Sequence, residues 1–249
     1  MICEENPLKY SLMTDKGIVR KNNQDCCYAA CPDASSCFAV VCDGMGGSNA
    51  GEVASEMAVK IISERLTSSW RNNITPESVV NLLTTAITAA NICVFDKSFD
   101  APEYEGMGTT VAVVVITAGR LIAAHAGDSR VYLADKELRC LTKDHSLVQD
   151  MIDSGELTEE QARVHPKKNY ITRALGVEEK IDIDFTECAF QPNNKILLCS
   201  DGLSNSLTPE QISGILRSGE PTEKLAAALV DAANENGGSD NITAVVISE

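Results

Sequence analysis

The sequence predicts an α+β fold, a layered domain of antiparallel sheets with paired helices packed outside. Three observations predict it: apolar strand runs outnumber helical patterns, hairpins join most strands, and the helical patterns come in pairs. The first two strands are Asp25-Cys26-Cys27-Tyr28-Ala29-Ala30 and the run from Phe38 to Asp43. Next, Val53, Met57, Ile61 and Ile62, with Ala54, Ala58 and Leu66, keep the three-and-four spacing of an amphipathic helix. Val79, Leu83, Ile87 and Val94 repeat that spacing behind Thr75-Pro76-Glu77, where Thr caps and Pro takes the first turn.

From Gly108 onward the pattern turns to strands. Thr110–Thr117 and Leu121–Ala126 flank Ala118-Gly119-Arg120 as one hairpin; Val131–Leu133 and Glu137–Leu141 form another across Asp135-Lys136. Residues 143–168 are polar and broken, with short helices around Ser146–Ser154 and Thr158–Arg163. Strands resume at Ile181–Cys188 and Ile196–Ser200, helices at Thr208–Ser218 and Pro221–Asn236, and Ile242–Ser248 is the last strand. No Pro/Gly/Ser linker or charge block interrupts the series, so residues 1–249 read as one domain.

Aromatics make up only 4% of the chain, so the core is expected to consist of Val, Ile, Leu, Ala and Cys. A formal charge of −15, from 36 acids against 21 bases, argues against nucleic acid and anionic membrane as partners. Met1-Ile2-Cys3-Glu4-Glu5-Asn6 lacks a basic region ahead of an apolar stretch, so no signal peptide is expected. The run Val111–Ile116 is far short of the roughly 18 residues that span a bilayer, so no membrane insertion is expected. Ten cysteines without a Cys-x-x-Cys pair read as small buried hydrophobes of a reduced, cytoplasmic protein rather than zinc ligands.

The chemistry is written at the strand ends. Asp43 and Asp201 close apolar runs, whereas Asp25 and Asp240 open them. The end of one antiparallel strand lies beside the start of its neighbour, so two such pairings gather four carboxylates at one edge of the core. Carboxylates crowd in a water-poor place only around a cation, and oxygen-only ligands select a hard ion, Mg²⁺ or Mn²⁺. Asp43-Gly44 alone is a common turn dipeptide. The longer run Asp43-Gly44-Met45-Gly46-Gly47-Ser48-Asn49-Ala50-Gly51 bares backbone, and the Gly44 carbonyl is a candidate ligand beside Asp43. Gly127-Asp128-Ser129-Arg130 between two strands reads equally as a bulge or a site. Arg20, five residues before Asp25, has the planar fork that suits a phosphate.

Taken together, Arg20…Asn23-Gln24-Asp25, Asp43-Gly44-Met45-Gly46-Gly47, Gly108-Thr109-Thr110, Gly127-Asp128-Ser129-Arg130, Ser200-Asp201-Gly202-Leu203 and Asp240-Asn241-Ile242-Thr243 resemble, in order and spacing, the metal-dependent protein phosphatases, the type 2C serine/threonine family. The segment from His165-Pro166 to Ile171-Thr172-Arg173-Ala174-Leu175-Gly176 is similar to the bacterial stand-alone branch, which works opposite membrane-bound serine/threonine kinases. The resemblance implies a four-layer α/β/β/α sandwich, two antiparallel sheets flanked by helix pairs, with a two-metal site at one end. It implies that Asp43 bridges both ions, Gly44 gives one a carbonyl, and Asp201 with Asp240 completes the other. Asp25 would orient the attacking water, Arg20 would bind the phosphate, and Asp128 would share a third, weaker ion with Asp201. A mobile flap is implied at about residues 143–168. The implied partners are phosphorylated proteins, a serine/threonine protein kinase among them, acted on by a monomer.

The chain departs from many eukaryotic relatives in having Met45 where they carry a proton-donating His. Met cannot donate a proton. His125, inside an apolar strand, reads as structural, and His145 and His165 fall in the expected flap. The rival reading is a catalytically dead binding module of the same shape, which would be expected to lose metal carboxylates; here all five are present.

Overall fold

Side-chain alternation along the strands sorts the apolar residues into three packed layers, and that sorting decides which strand ends meet. The computed structural model describes residues 7–46, 50–71 and 74–249. One sheet runs β1 (Lys9–Asp15), β11 (Ile242–Ser248), β10 (Lys195–Cys199), β7 (Arg130–Ala134), β8 (Leu138–Cys140). The other runs β2 (Asp25–Asp33), β3 (Ser36–Met45), β5 (Val111–Thr117), β6 (Arg120–Ala126), β9 (Asp184–Ala189), and the short β4 (Gly108–Thr109) pairs with the end of β3. Among the described residues every strand pairing is antiparallel.

The strand β5 shows the sorting most plainly. Val111, Val113 and Val115 face α1 (Ala50–Ser69) and α2 (Pro76–Lys97). Ala112, Val114 and Ile116 face the other sheet, meeting the layer of Val131, Leu133, Ile196, Leu198, Val245 and Ile247. Both faces are covered, so the strand reads as an unbroken apolar run, and each fully buried Val or Ile contributes about 1.5–3 kcal/mol relative to exposure. Two short helices, α3 (Leu147–Asp153) and α4 (Glu159–Arg163), lie between β8 and β9. On the far side α5 (Asp201–Ser206), α6 (Pro209–Leu216) and α7 (Thr222–Glu235) bury Leu203, Ile212, Leu225 and Leu229 against Leu197, Ala244 and Val246. The result is the expected four-layer sandwich.

Local chemistry places most element ends where the sequence predicts them. Thr75 accepts from the Ser78 N–H ahead of Pro76, Ser146 from Gln149, Thr158 from Gln161 and Thr208 from Gln211, each a side-chain cap. Ala118 and Gly119 both have positive φ, the two-residue turn whose twist matches a hairpin. The helix α2 has the length and apolarity of a bilayer span, but its stripe of Val79, Leu83, Ile87, Ala90 and Val94 is buried in the core.

The structure corrects three expectations. Strand β1 has no sequence signature, because as an edge strand it leaves Tyr10, Leu12 and Met13 exposed and depends on β11 for its pairing. Asp201-Gly202 is not a strand end but the first turn of α5, with Ser200 before it. Cys31 and Cys37 are joined as a disulfide across the β2–β3 turn, so this pair is not two separate buried thiols. Gly47, Ser48 and Asn49, the middle of the glycine-rich run, lie outside the described residues.

Candidate active site

Two strand pairings bring the carboxylates together. In the β2–β3 register Asp25 stands directly opposite Asp43. In the β10–β11 register Cys199 faces Ala244, which puts Asp201 and Asp240 just past the same end of the other sheet. Two glycines let the backbones close in. A Cβ on Gly44 would overlap the Gly51 carbonyl of α1, and one on Gly202 would overlap the Asn241 carbonyl.

Polar side chains then fix the frame. Asn241 accepts from the Gln24 N–H at 2.8 Å and donates to the carbonyls of Lys16 and Asn22 at 2.9 Å, tying the loop that carries Arg20 to Asp240. Arg20, half exposed, donates to Asp240 Oδ2 at 2.7 Å. Thr110 Oγ1 accepts from the Asp43 N–H at 2.9 Å and is bonded to Ser129 Oγ at 2.7 Å, which holds the Gly127–Arg130 segment beside β3. Arg130 itself is consumed by a two-toothed pair with Asp144, at 2.8 and 2.7 Å.

Asp25 is buried, and its two oxygens differ. Oδ2 accepts from Ser200 Oγ at 2.6 Å and Thr243 Oγ1 at 2.7 Å. Oδ1 is buried with no hydrogen-bond partner among the described residues. Burial is the largest cause of its carboxyl rising to about 7, with the charges of Asp201 and Asp240 adding and the two hydroxyls opposing. Burial, then the charge of Asp201, lifts Asp128 to about 8. Burial and the Asp240 charge lift Asp201 to about 6. Asp43 is raised well above the usual carboxylate range, by burial and then by the charges of Asp25, Asp201, Asp128 and Asp240.

Asp43, Asp128, Asp201, Asp240 and Gly44 line one cleft of about 240 Å³ with Arg20 at its rim. The donor set is oxygen only, the carboxylates repel one another, and beside it Asp25 Oδ1 is buried without a partner among the described residues. Hard divalent cations fit such a set. The cleft is also lined by Met45 and by Asn169 and Ile171, which sequence reasoning missed because they reach it only through the fold of the 146–171 excursion. Ser200 and Thr243 were present in the motifs without a role of their own; their hydroxyls aim Asp25. None of the three histidines lines the cleft. His125 is buried on β6 with Nε2 on the Lys143 carbonyl, as its apolar strand suggests, while His165 Nδ1 accepts from the Lys167 N–H.

Stacked antiparallel sheets with helices outside, and an oxygen-only cation cleft at their edge, define the class of metal-dependent phosphatases. Residues 18–245 match the family Protein phosphatase 2C, and the chain belongs to that family. The serine/threonine phosphatase Stp of Listeria monocytogenes serotype 4b (strain F2365) is 37% identical over 238 residues, covering 94% of this chain and 93% of that protein. Among solved structures, the S. agalactiae serine/threonine phosphatase superposes with a TM-score of 0.88 at 32% identity, over 97% of this chain and 99% of that one. The catalytic domain of the serine/threonine protein phosphatase PstP, in complex with two manganese ions, superposes with a TM-score of 0.85 at 34% identity, over 97% and 98%. The protein is a metal-dependent serine/threonine protein phosphatase.

Proposed function

We propose that the carboxylate cleft is where this phosphatase hydrolyses phosphoserine and phosphothreonine in phosphoproteins. Asp43 would touch two Mg²⁺ or Mn²⁺ ions, Gly44 would offer one a carbonyl, and Asp201 with Asp240 would hold the other. Asp128 and Asp201 would share a third, weaker ion. The observation that carries this reading is the convergence of four carboxylates, Asp43, Asp128, Asp201 and Asp240, on one cleft, with Asp25 paired opposite Asp43 and its Oδ1 buried without a partner among the described residues. When bound, the ions supply charge neutralisation and Lewis-acid activation of water.

The protein's own groups do the rest. Ser200 and Thr243 occupy Asp25 Oδ2, so Oδ1 is the oxygen left to orient the attacking water in line with phosphorus. Arg20, on the rim, offers a planar fork to the phosphate dianion and to the charge that grows on it. A cysteine nucleophile is not supported: burial pushes the Cys26 and Cys27 thiols up to about 11 and about 12, the wrong direction for a thiolate. With Met45 in the cleft and no histidine lining it, the leaving oxygen takes its proton from water.

The same reading treats residues 1–249 as a single catalytic domain with a flap at about residues 143–168. It places the enzyme in the cytoplasm as a monomer without membrane insertion, reversing the work of a serine/threonine protein kinase. The test is hydrolysis of p-nitrophenyl phosphate and of a phosphothreonine peptide, with Mn²⁺ titrated in and then chelated out. Activity that survives chelation, or that Asp43→Asn leaves intact, would overturn the assignment of the cleft.

A further inference from the structure

Beside the cleft lies a cluster that this chemistry does not use: His125 on β6, His145 after β8, Arg173, and Asp184 at the start of β9. Ligand atoms of His125, His145 and Asp184 come within 4.8 Å of one another, a spacing that raises the question of a further metal. The geometry argues against one. The two imidazoles stack with centroids 4.7 Å apart and planes 5° apart, so their in-plane lone pairs run side by side instead of converging. A guanidinium nitrogen of Arg173 also lies 3.0 Å from His145 Nε2, where it would repel a cation.

The hydrogen bonds give the cluster another task. His145 Nδ1 accepts from the Gly127 N–H at 3.1 Å, so the ring proton sits on Nε2 and points to Asp184 Oδ2 at 3.2 Å. Arg173 donates to the other oxygen of Asp184 at 2.7 Å; its nearness to the imidazole follows from the shared acceptor. The backbone of His145 adds two more ties, its N–H to the Gly127 carbonyl at 2.9 Å and its carbonyl to the Thr172 N–H at 2.8 Å. The next residue, Ser146, bridges to Ile171, and Leu147 N–H reaches the Tyr170 carbonyl at 2.8 Å. One residue thus grips Gly127, immediately before Asp128, and both ends of the excursion that sends Asn169 and Ile171 into the cleft.

We propose that His145 is a positioning residue that locks Gly127-Asp128 and the root of the 146–171 excursion into one rigid frame, so that Asp128 and the cleft-facing Asn169 and Ile171 keep a fixed relation. This rests on the reading of Asp128 as a ligand of the weak ion; the imidazole acts through Gly127 and Asp184, while the backbone of His145 holds Thr172. A polar group that orients a ligand-bearing element is worth about 10–100-fold in affinity or activity.

The experiment compares His145→Ala, His145→Asn and Asp184→Asn. Asn keeps an acceptor close to the place of Nδ1 and loses the tie to Asp184 and the stack on His125. In metal-free protein, hydrogen exchange of the Gly127 amide and tryptic cleavage after Arg163, Lys167 and Lys168 report on the frame directly. His145→Ala is expected to speed both about tenfold or more and to raise the half-saturating Mn²⁺ concentration about tenfold. His145→Asn should restore Gly127 protection and most of the Mn²⁺ response, while Asp184→Asn should loosen the excursion and spare Gly127. Wild-type exchange and cleavage in His145→Ala, or no rescue by Asn, overturns the proposal. If His145→Ala does not fold, the contrast between His145→Asn and Asp184→Asn decides the same point. Asp128→Ala serves as the control: an unaltered Mn²⁺ curve there sinks the ligand reading of Asp128, while the metal-free measurements still decide the role of His145.

Discussion

The carboxylate cleft and the root of the excursion lie at one end of the sheets with Gly127-Asp128 as their border, and they handle charge in opposite ways. At the root, charges are paired: Arg130 holds Asp144, and Arg173 holds Asp184, which also accepts a hydrogen bond from His145 Nε2. In and beside the cleft, burial and the charges of neighbouring carboxylates push the carboxyls of Asp25, Asp43, Asp128 and Asp201 upward, and among the described residues Arg20 on Asp240 is the ion pair found there. Paired charge fixes geometry without outside help. Charge left unpaired and desolvated marks the place where the molecule needs an ion from solution.

The largest effect that would break this contrast is on turnover. Asp43→Asn or Asp201→Asn should fold normally yet lose about 4 kcal/mol of transition-state stabilisation, three powers of ten in kcat. A kcat near wild type at saturating Mn²⁺, in either variant, would show that the cleft does not need its charge. Arg20→Ala should act next most strongly, raising KM for an aryl phosphate about 10–100-fold, with any fall in kcat reporting contact in the transition state. Steady-state kinetics on both an aryl phosphate and a phosphopeptide check this. Unchanged constants on both would leave Arg20 as a partner of Asp240 only.

Opposite slopes against pH sharpen the comparison. The cleft carboxyls are raised in the folded, metal-free protein, so it binds more protons than the unfolded chain between the ordinary value near 3.8 and about 6 to 8. Metal-free stability should therefore fall as pH rises through that range, by about 5–10 °C in Tm between pH 6 and 8, and Mn²⁺ should flatten the slope. A Tm that is level with pH after chelation would contradict the carboxylate repulsion.

The root should show the reverse sign and a smaller size. Burial is the main cause that lowers the His145 pKa below its ordinary value of 6.5; the charges of His125 and Arg173 add to it, and Asp184 opposes it. The unfolded chain then takes up the proton first, so the contribution of His145 is complete above pH 6.5 and lost as pH falls through the lowered value. Below pH 6.5 the wild type should lose stability faster than His145→Asn, seen as a converging pair of urea midpoints. Parallel midpoints would mean the imidazole is not held neutral.

The comparison also separates what was legible in the chain from what was not. The helix α2 could be read from Thr75-Pro76 and its apolar stripe, and the β5–β6 hairpin from two apolar runs flanking the Ala118-Gly119 turn, since those signals are local. The meeting of Asp25 with Asp43 followed from strand ends and antiparallel pairing alone. Strand β1 was not legible, because its side chains are mostly exposed and its stability comes from β11, more than 200 residues away in the register Lys9 with Ser248. The short α5 was hidden because Asp201-Gly202 follows an apolar strand and looks like its end. Asn169, Ile171 and the four-way grip of His145 depend on how the excursion folds back, and no spacing in the sequence encodes that.

By itself the sequence determined the layered α+β class, the apolar runs flanked by Asp25, Asp43, Asp201 and Asp240, and the demand of such a set for a hard cation. Period and polarity carry that information residue by residue. Only the tertiary structure decided which oxygen of Asp25 stays unpartnered, that Arg130 spends itself on Asp144, and that His145 turns its lone pair to Gly127 and its proton to Asp184. Those choices depend on directions and distances between segments far apart in the chain, and hydrogen bonds depend steeply on both.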